Sequence, residues 1–209
     1  MHSTQNLHLI ASHKKMLSLF EEGSVFCAFD TETSGQNPLT SNVIEIGAVK
    51  FTKDKIIDTF SSLINLSEPL DPFIKNLTGI NEKMLESAPP AAKVIPEFRD
   101  FCKETILIAH NAQFDLRFIN AESQRLELFP LSNEAIDTLR LSRLVLPDNE
   151  SWKQTFLAEQ FKIDTGHAHR AFDDAKTCAE LFKILVKMPD AKKKRRSRTA
   201  ENLAKAALL

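Results

Sequence analysis

The chain has 209 residues, 43% of them hydrophobic, with a formal net charge of -1, enough for one domain of ordinary size with a proper core and extensions. Seven of its 27 basic residues but only two of its 28 acidic ones fall in 188–209, so the body carries -6. That excludes a protein that grips nucleic acid by bulk positive charge. Cys27, Cys102 and Cys178 are far apart and odd in number, fitting neither a disulfide framework nor a zinc pattern, and are read as reduced core residues. With no signal-like apolar segment at the start and no run near the roughly 18 residues of a membrane span, the expectation is a cytoplasmic protein with no membrane partner.

In chain order, residues 5 to 22 carry Leu9, Ile10, His13, Met16, Leu17 and Phe20 at helical spacing and stop at Gly23, which predicts an N-terminal helical extension over 1–23. An apolar strand through Val25 to Phe29 follows. A loop at Ser34 to Pro38 leads to strands over Val43–Val49 and Lys55–Ile64, joined closely enough for a hairpin, so three strands form an antiparallel meander. From Pro72 the pattern changes. Leu77 to Ile80 reads as a break, and Val94, Ile95, Phe98, Phe101 and Cys102 predict a helix with Pro96 near its start.

Ile106–Ala109 is a short buried strand followed by a helix from about Gln113 to Leu126, with Phe114, Phe118 and Ile119 facing inward and Asp115 in its first turn. Ala135–Thr138 is another short strand. Helices then run through Leu139 to Val145, from about Lys153 to Phe161, and from about Ala171 to Val186, the last two separated by a loop at Gly166–Arg170. Strands first, then strands alternating with helices, indicate an α/β fold: a mixed sheet with helices on both faces.

The chemistry-bearing feature is Phe26-Cys27-Ala28-Phe29-Asp30-Thr31-Glu32-Thr33. Side chains alternate along a strand, so Asp30 and Glu32 share a face at the edge of a core. Two like charges there need protons or cations to neutralise them, and an oxygen-rich site suits magnesium or manganese. Alone, the pair also fits an acidic turn that closes a strand. Asp115 alone fits helix-dipole complementation, and Asp174 alone fits an ion pair with Arg170 one turn earlier. His167, His169 and Asp173 form an H-x-H grouping that zinc could take, although the nearest cysteine, Cys178, lies on the predicted buried face of the closing helix.

Together, F-D-T-E-T-S-G, I-E-I-G-A-V, L-T-G-I, A-H-N-A-x-F-D and H-R-A-x-x-D-A resemble the DnaQ-like 3′-to-5′ exonucleases in their histidine-bearing form, in the family's order over about residues 24 to 187. The resemblance is greatest to the proofreading subunit or domain of bacterial replicative polymerases. It implies a ribonuclease H-like, five-stranded sheet and an exonuclease domain over 24–187, with 188–209 as a basic tail. It further implies that Asp30, Glu32, Asp115 and Asp174 hold two divalent ions, Mg2+ or Mn2+, and that His169 is the general base. By the same resemblance Thr33, Gly35, Thr78, Ile80, His110, Asn111 and Phe114 line the pocket for the terminal nucleotide, with Glu45 and Asp137 as structural supports. The implied partners are DNA 3′ ends, single-stranded or frayed, and a DNA polymerase subunit. Two alternatives keep the fold: an RNA-trimming exoribonuclease, and a non-catalytic module that binds a polymerase. The basic run Lys192–Arg198 is read as a solvated tail or a contact to DNA or polymerase.

Overall fold

The computed structural model describes residues 8–191, so the basic run Lys192–Arg198 and the first seven residues lie outside the described residues. Strand β1 (Phe26–Thr33) is the centre of a five-stranded sheet, flanked on one side by β2 (Val43–Phe51) and β3 (Ile56–Leu63) and on the other by β4 (Ile106–Ala109) and β5 (Ala135–Asp137). β1, β2 and β3 pair antiparallel as the expected meander, whereas β1–β4 and β4–β5 pair parallel. The mixed sheet with helices on both faces is therefore as expected.

Alternation along β1 divides the core in two. Phe26 and Ala28 join a cluster with Met16 and Phe20 of α1 (His13–Glu21) and Cys178, Phe182 and Leu185 of α8 (Ala171–Leu185). Cys27 and Phe29 join the opposite cluster with Val94 and Phe98 of α4 (Ala91–Phe101) and Phe118 and Ile119 of α5 (Ala112–Arg125). Period-two burial thus aims Asp30 and Glu32 toward the α8 face and Thr31 toward α5. All three cysteines are buried and free.

Several elements differ from expectation. α1 begins only at His13, because the Ser12 side chain caps it by accepting from the Lys15 N–H. Residues 8–10 instead run extended beside β5: the Ala135 N–H donates to the His8 carbonyl and the Ile10 N–H to the Ala135 carbonyl. Pro96 lies in the middle of α4 rather than near its start. Fully buried Val94, Ile95 and Phe98 hold that helix together through the missing N–H. The expected break around Leu77–Ile80 is flanked by two short helices, α2 (Pro72–Thr78) and α3 (Glu82–Glu86). Asp71 and Asn81 cap them, and Gly79 closes α2 in the left-handed region at φ 70°. After β5 come α6 (Thr138–Val145) and α7 (Gln154–Phe161).

One contact places α8 against the sheet. A Cβ built on Gly47 of β2 would lie 2.1 Å from the Phe172 nitrogen and 2.2 Å from the Ala171 carbonyl carbon, so only glycine lets the helix start cross there. Buried Glu45 completes the attachment. It accepts from the Ala171 N–H at 3.0 Å and, through both carboxylate oxygens, from Arg170 at 2.7–3.2 Å. The carboxylate thus satisfies an open N–H at the start of α8, where the helix dipole favours negative charge. Replacing Gly47 with alanine is expected to displace backbone rather than a movable side chain and to lower stability by at least about 1–3 kcal/mol, read as the urea midpoint. An unchanged midpoint would show that α8 does not depend on this approach.

Candidate active site

The C-terminal ends of the parallel strands open into a cleft of about 620 Å3, whose lining includes Asp30, Glu32, Asp115, His169 and Asp174. Four separate elements deliver these groups: the end of β1, the first turn of α5, the loop before α8 and the first turn of α8. Residues up to 144 positions apart in sequence, Asp30 and Asp174, thus share one space.

Asp115 is buried and fixed from β1: its Oδ1 accepts from the Thr31 backbone N–H at 3.1 Å and from the Thr31 hydroxyl at 2.8 Å. Asp174 is fixed from two sides. Its Oδ2 accepts from the His169 backbone N–H at 2.8 Å, and its Oδ1 accepts from the Gln154 amide at 3.1 Å. The expected alternative pair with Arg170 does not form, because that guanidinium is committed to Glu45. His169 itself is exposed and sits at φ 62°, a left-handed geometry that costs free energy in a non-glycine residue and is held here by the bond to Asp174. A ligand atom of His169 lies within 4.8 Å of one on Glu32 and one on Asp174. His167 faces elsewhere, with its backbone N–H on Asp173 Oδ2 and its ring 3.5 Å from the same oxygen.

The electrostatics follow from crowding carboxylates into a half-dry space. Burial raises the Asp30 pKa well above the usual range, and the charges of Asp115, Asp174, Glu32 and Glu45 raise it further. Glu32 is pushed up to about 8, by burial first and then by Asp174 and Glu45. Asp115 is pushed up to about 7 by burial, against the lowering effect of its Thr31 hydrogen bonds. Asp174 is also raised by burial. The donor set is oxygen-rich and short of compensating cations, which fits a hard divalent ion better than zinc.

The expected nucleotide pocket is only partly assembled in this cleft. His110, Asn111 and Phe114 line it. His110 is held at both nitrogens, Nδ1 at 2.9 Å from the Thr138 hydroxyl and Nε2 at 2.8 Å from the Trp152 carbonyl. Because a carbonyl only accepts, Nε2 carries the proton, and burial, which lowers the His110 pKa, keeps the ring neutral. Asn111 stands at φ 70°, with its N–H on Asp137, which also caps α6. Phe114 is half-buried with its ring 4.9 Å from that of Phe118.

Thr33, Gly35, Thr78 and Ile80 do not line the cleft. The Thr33 hydroxyl donates to the Gly35 carbonyl, tightening the turn after β1. The Thr78 hydroxyl donates to the Ile74 carbonyl and accepts from the Ile80 N–H, and the Ile80 side chain is fully buried with Ile44, Leu70 and Leu85. Conversely, the sequence reading missed Leu139, Arg143 and the segment from Glu150 to Thr155, which also line the cleft and of which Gln154 reaches Asp174. Trp152, the single tryptophan of the chain, was the available signal. Its indole N–H donates to the Leu146 carbonyl, and the Arg143 guanidinium lies 5.8 Å from its ring.

Sheet order β3-β2-β1-β4-β5, with acidic groups gathered at the end of the central strand, is a ribonuclease H-like architecture. The model of the exonuclease family RNase_T matches residues 27–182. The chain belongs to that family and is a DnaQ-like 3′-to-5′ exonuclease. It is 43% identical over 166 residues to a PolC-type DNA polymerase III of Caldanaerobacter subterraneus subsp. tengcongensis, a match covering 79% of this chain and 12% of that protein. It is 38% identical over 167 residues to the DNA polymerase III subunit epsilon of Treponema pallidum, covering 79% of this chain and 78% of the relative. Among solved structures, Exonuclease X in complex with 5′ overhanging duplex DNA superposes with a TM-score of 0.62 at 27% identity, covering 77% of this chain and 90% of that one. E. coli Exonuclease I in complex with a dT13 oligonucleotide superposes at 0.71 with 18% identity, covering 79% and 41%, which shows the fold alone. Among the described residues no helix is long and apolar enough to cross a membrane.

The raised carboxylate pKa values have a signed consequence. The unfolded chain releases the Glu32 and Asp115 protons near pH 4, whereas the folded one keeps them up to about pH 8 and about pH 7 respectively. Folding therefore takes up protons in that window, and the cluster's contribution to stability falls as pH rises through it. Metal-free Asp30→Asn, which removes one of the mutually repelling groups, should gain in Tm over the parent protein by a margin that widens from pH 5 to pH 8. A margin that is constant or narrows contradicts the account.

Proposed function

We propose that this exonuclease removes nucleotides from the 3′ ends of DNA as a proofreading activity, using two divalent ions, Mg2+ or Mn2+, held by Asp30, Glu32, Asp115 and Asp174. The observation that carries the reading is the convergence of those four carboxylates, held apart from countercharge and raised in pKa, beside an exposed histidine. Divalent ions bound there would lower the pKa of the attacking water and offset charge on the departing 3′ oxygen. The remaining work falls to the chain itself. The carboxylates of β1, α5 and α8 would hold those ions at the sheet end, and the phosphodiester would be held there through them rather than by the carboxylates directly. His169 takes the proton from water as its oxygen bonds to phosphorus, the P–O3′ bond breaks, and the released 3′ oxygen is protonated from solvent, leaving a nucleoside 5′-monophosphate. Phe114 offers an apolar ring that tolerates any base, as removal of a misinserted nucleotide requires.

DNA and a polymerase partner are supported by the names of the relatives, polymerase III proteins in both cases. The chain matches only 12% of the PolC-type relative, so the partner could be a separate polymerase subunit or further sequence in one polypeptide. The domain reading, with exonuclease residues 24–187 between an N-terminal helical segment and a basic tail, is part of the same proposal. α1 contributes Met16 and Phe20 to the core shared with α8, which ties that segment closely to the exonuclease unit.

The substrate is tested with end-labelled single-stranded DNA and RNA of one sequence, with Mg2+ or with chelator. Faster release of 5′-monophosphates from DNA, abolished by chelator and by Asp30→Ala, is expected. Faster release from RNA would give the exoribonuclease, and no release from either would give the non-catalytic module.

His169→Gln is expected to lower single-turnover rates by about 10² to 10⁴ while leaving metal affinity largely intact, with partial recovery as pH rises and hydroxide replaces the base. His167→Gln is expected to cost little. Equal losses at both positions, or a larger loss at His167, would overturn the assignment of the base.

A further inference from the structure

Gln154, the first residue of α7, combines two features that ordinary packing does not explain. Its Nε2 donates twice to one residue, to the Asp174 backbone carbonyl and to Asp174 Oδ1, each at 3.1 Å. Its Oε1 is buried without a partner, and among the described residues it is the one buried side-chain oxygen or nitrogen in that state. Turning the amide over would point its oxygen at two acceptors, so the orientation is fixed by Asp174. The side chain therefore gives up satisfaction of its own carbonyl to hold that carboxylate. Such an arrangement costs stability, and it lies at the edge of the cleft that also contains Asp30, Glu32, Asp115 and His169.

The consequence for Asp174 is geometric. One oxygen is held by the His169 backbone N–H and the other by the Gln154 amide, so the carboxylate cannot rotate about its terminal bond. Each oxygen keeps a further lone pair for a cation. We propose that Gln154 is a positioning residue that locks Asp174 in the orientation in which it takes a divalent ion, with its unpartnered carbonyl reserved for an N–H or O–H donor that arrives with the ligand. The inference rests on Asp174 being a metal ligand. Outer hydrogen-bond partners of this kind typically change metal affinity by about 10–100-fold when removed.

The test titrates Mn2+ into metal-free protein by calorimetry, with a melting curve in chelator beside it, for the parent protein, Gln154→Met, Gln154→Ala and Asp174→Asn. Gln154→Met keeps the volume and removes both the clamp and the unpartnered oxygen. Its Mn2+ affinity should fall about 10–100-fold while its metal-free Tm stays level or rises. A merely structural hydrogen bond would show in the Tm, so a lowered Tm, whether affinity falls with it or stays unchanged, overturns the inference. So does an affinity within about twofold of the parent, or failure of both Gln154 variants to fold. Asp174→Asn separates the two levels of the argument: if it binds Mn2+ as the parent does, the metal assignment itself fails, whereas loss there with none at Gln154 removes only the clamp.

Discussion

Mutual repulsion among carboxylates at the end of β1 is the constraint on which the rest of the structure depends. Asp30 and Glu32 follow directly from a run of fully buried residues, and Asp115 and Asp174 are brought against them by two helices. Left to themselves, these groups hold protons well above the usual carboxylate range. The folded protein thus keeps a cluster that favours neutralisation, by protons when metal is absent and, in the proposed function, by divalent ions when it is present.

Holding such a cluster together requires attachments that do not themselves neutralise it. Thr31 grips Asp115 with a hydroxyl and a backbone N–H, while His169 and Gln154 grip Asp174 with a backbone N–H and an amide. All four donors are uncharged, so they orient the carboxylates without competing for a cation. The Arg170 guanidinium, four positions before Asp174, is drawn to Glu45, two positions before Gly47 on β2. Glu45 thereby removes a competing positive charge from Asp174 and anchors the start of α8. Gly47 lets that helix start come close enough for Asp174 to reach the cleft.

The sequence was most legible where local periodicity alone decides structure. Period two in Phe26 to Thr33 gave the strand and the shared face of Asp30 and Glu32, and the closing helix from about Ala171 to Val186, which carries Asp174, was legible as a helix. It was less legible where tertiary contacts override local signals. Pro96 sits inside α4 because buried neighbours outweigh a lost hydrogen bond, and residues 8–10 extend because β5 offers them an edge. Thr78 and Ile80 belong to a family-like motif, yet the Ile80 side chain joins a small core of its own and the Thr78 hydroxyl bonds to local backbone. Trp152 was missed for the opposite reason: its place at the cleft depends on how the segment between α6 and α7 folds back, which no periodicity encodes.

Proton release on metal binding tests the central claim most directly. Mg2+ would be titrated into metal-free protein at pH 7 in two buffers of different ionisation enthalpy, so that the difference in heat counts the protons exchanged. Carboxylates held partly protonated by burial and repulsion should release protons as the ions enter, and fewer when Asp30 is replaced by asparagine. Binding without proton release, or no binding at all, would contradict the account.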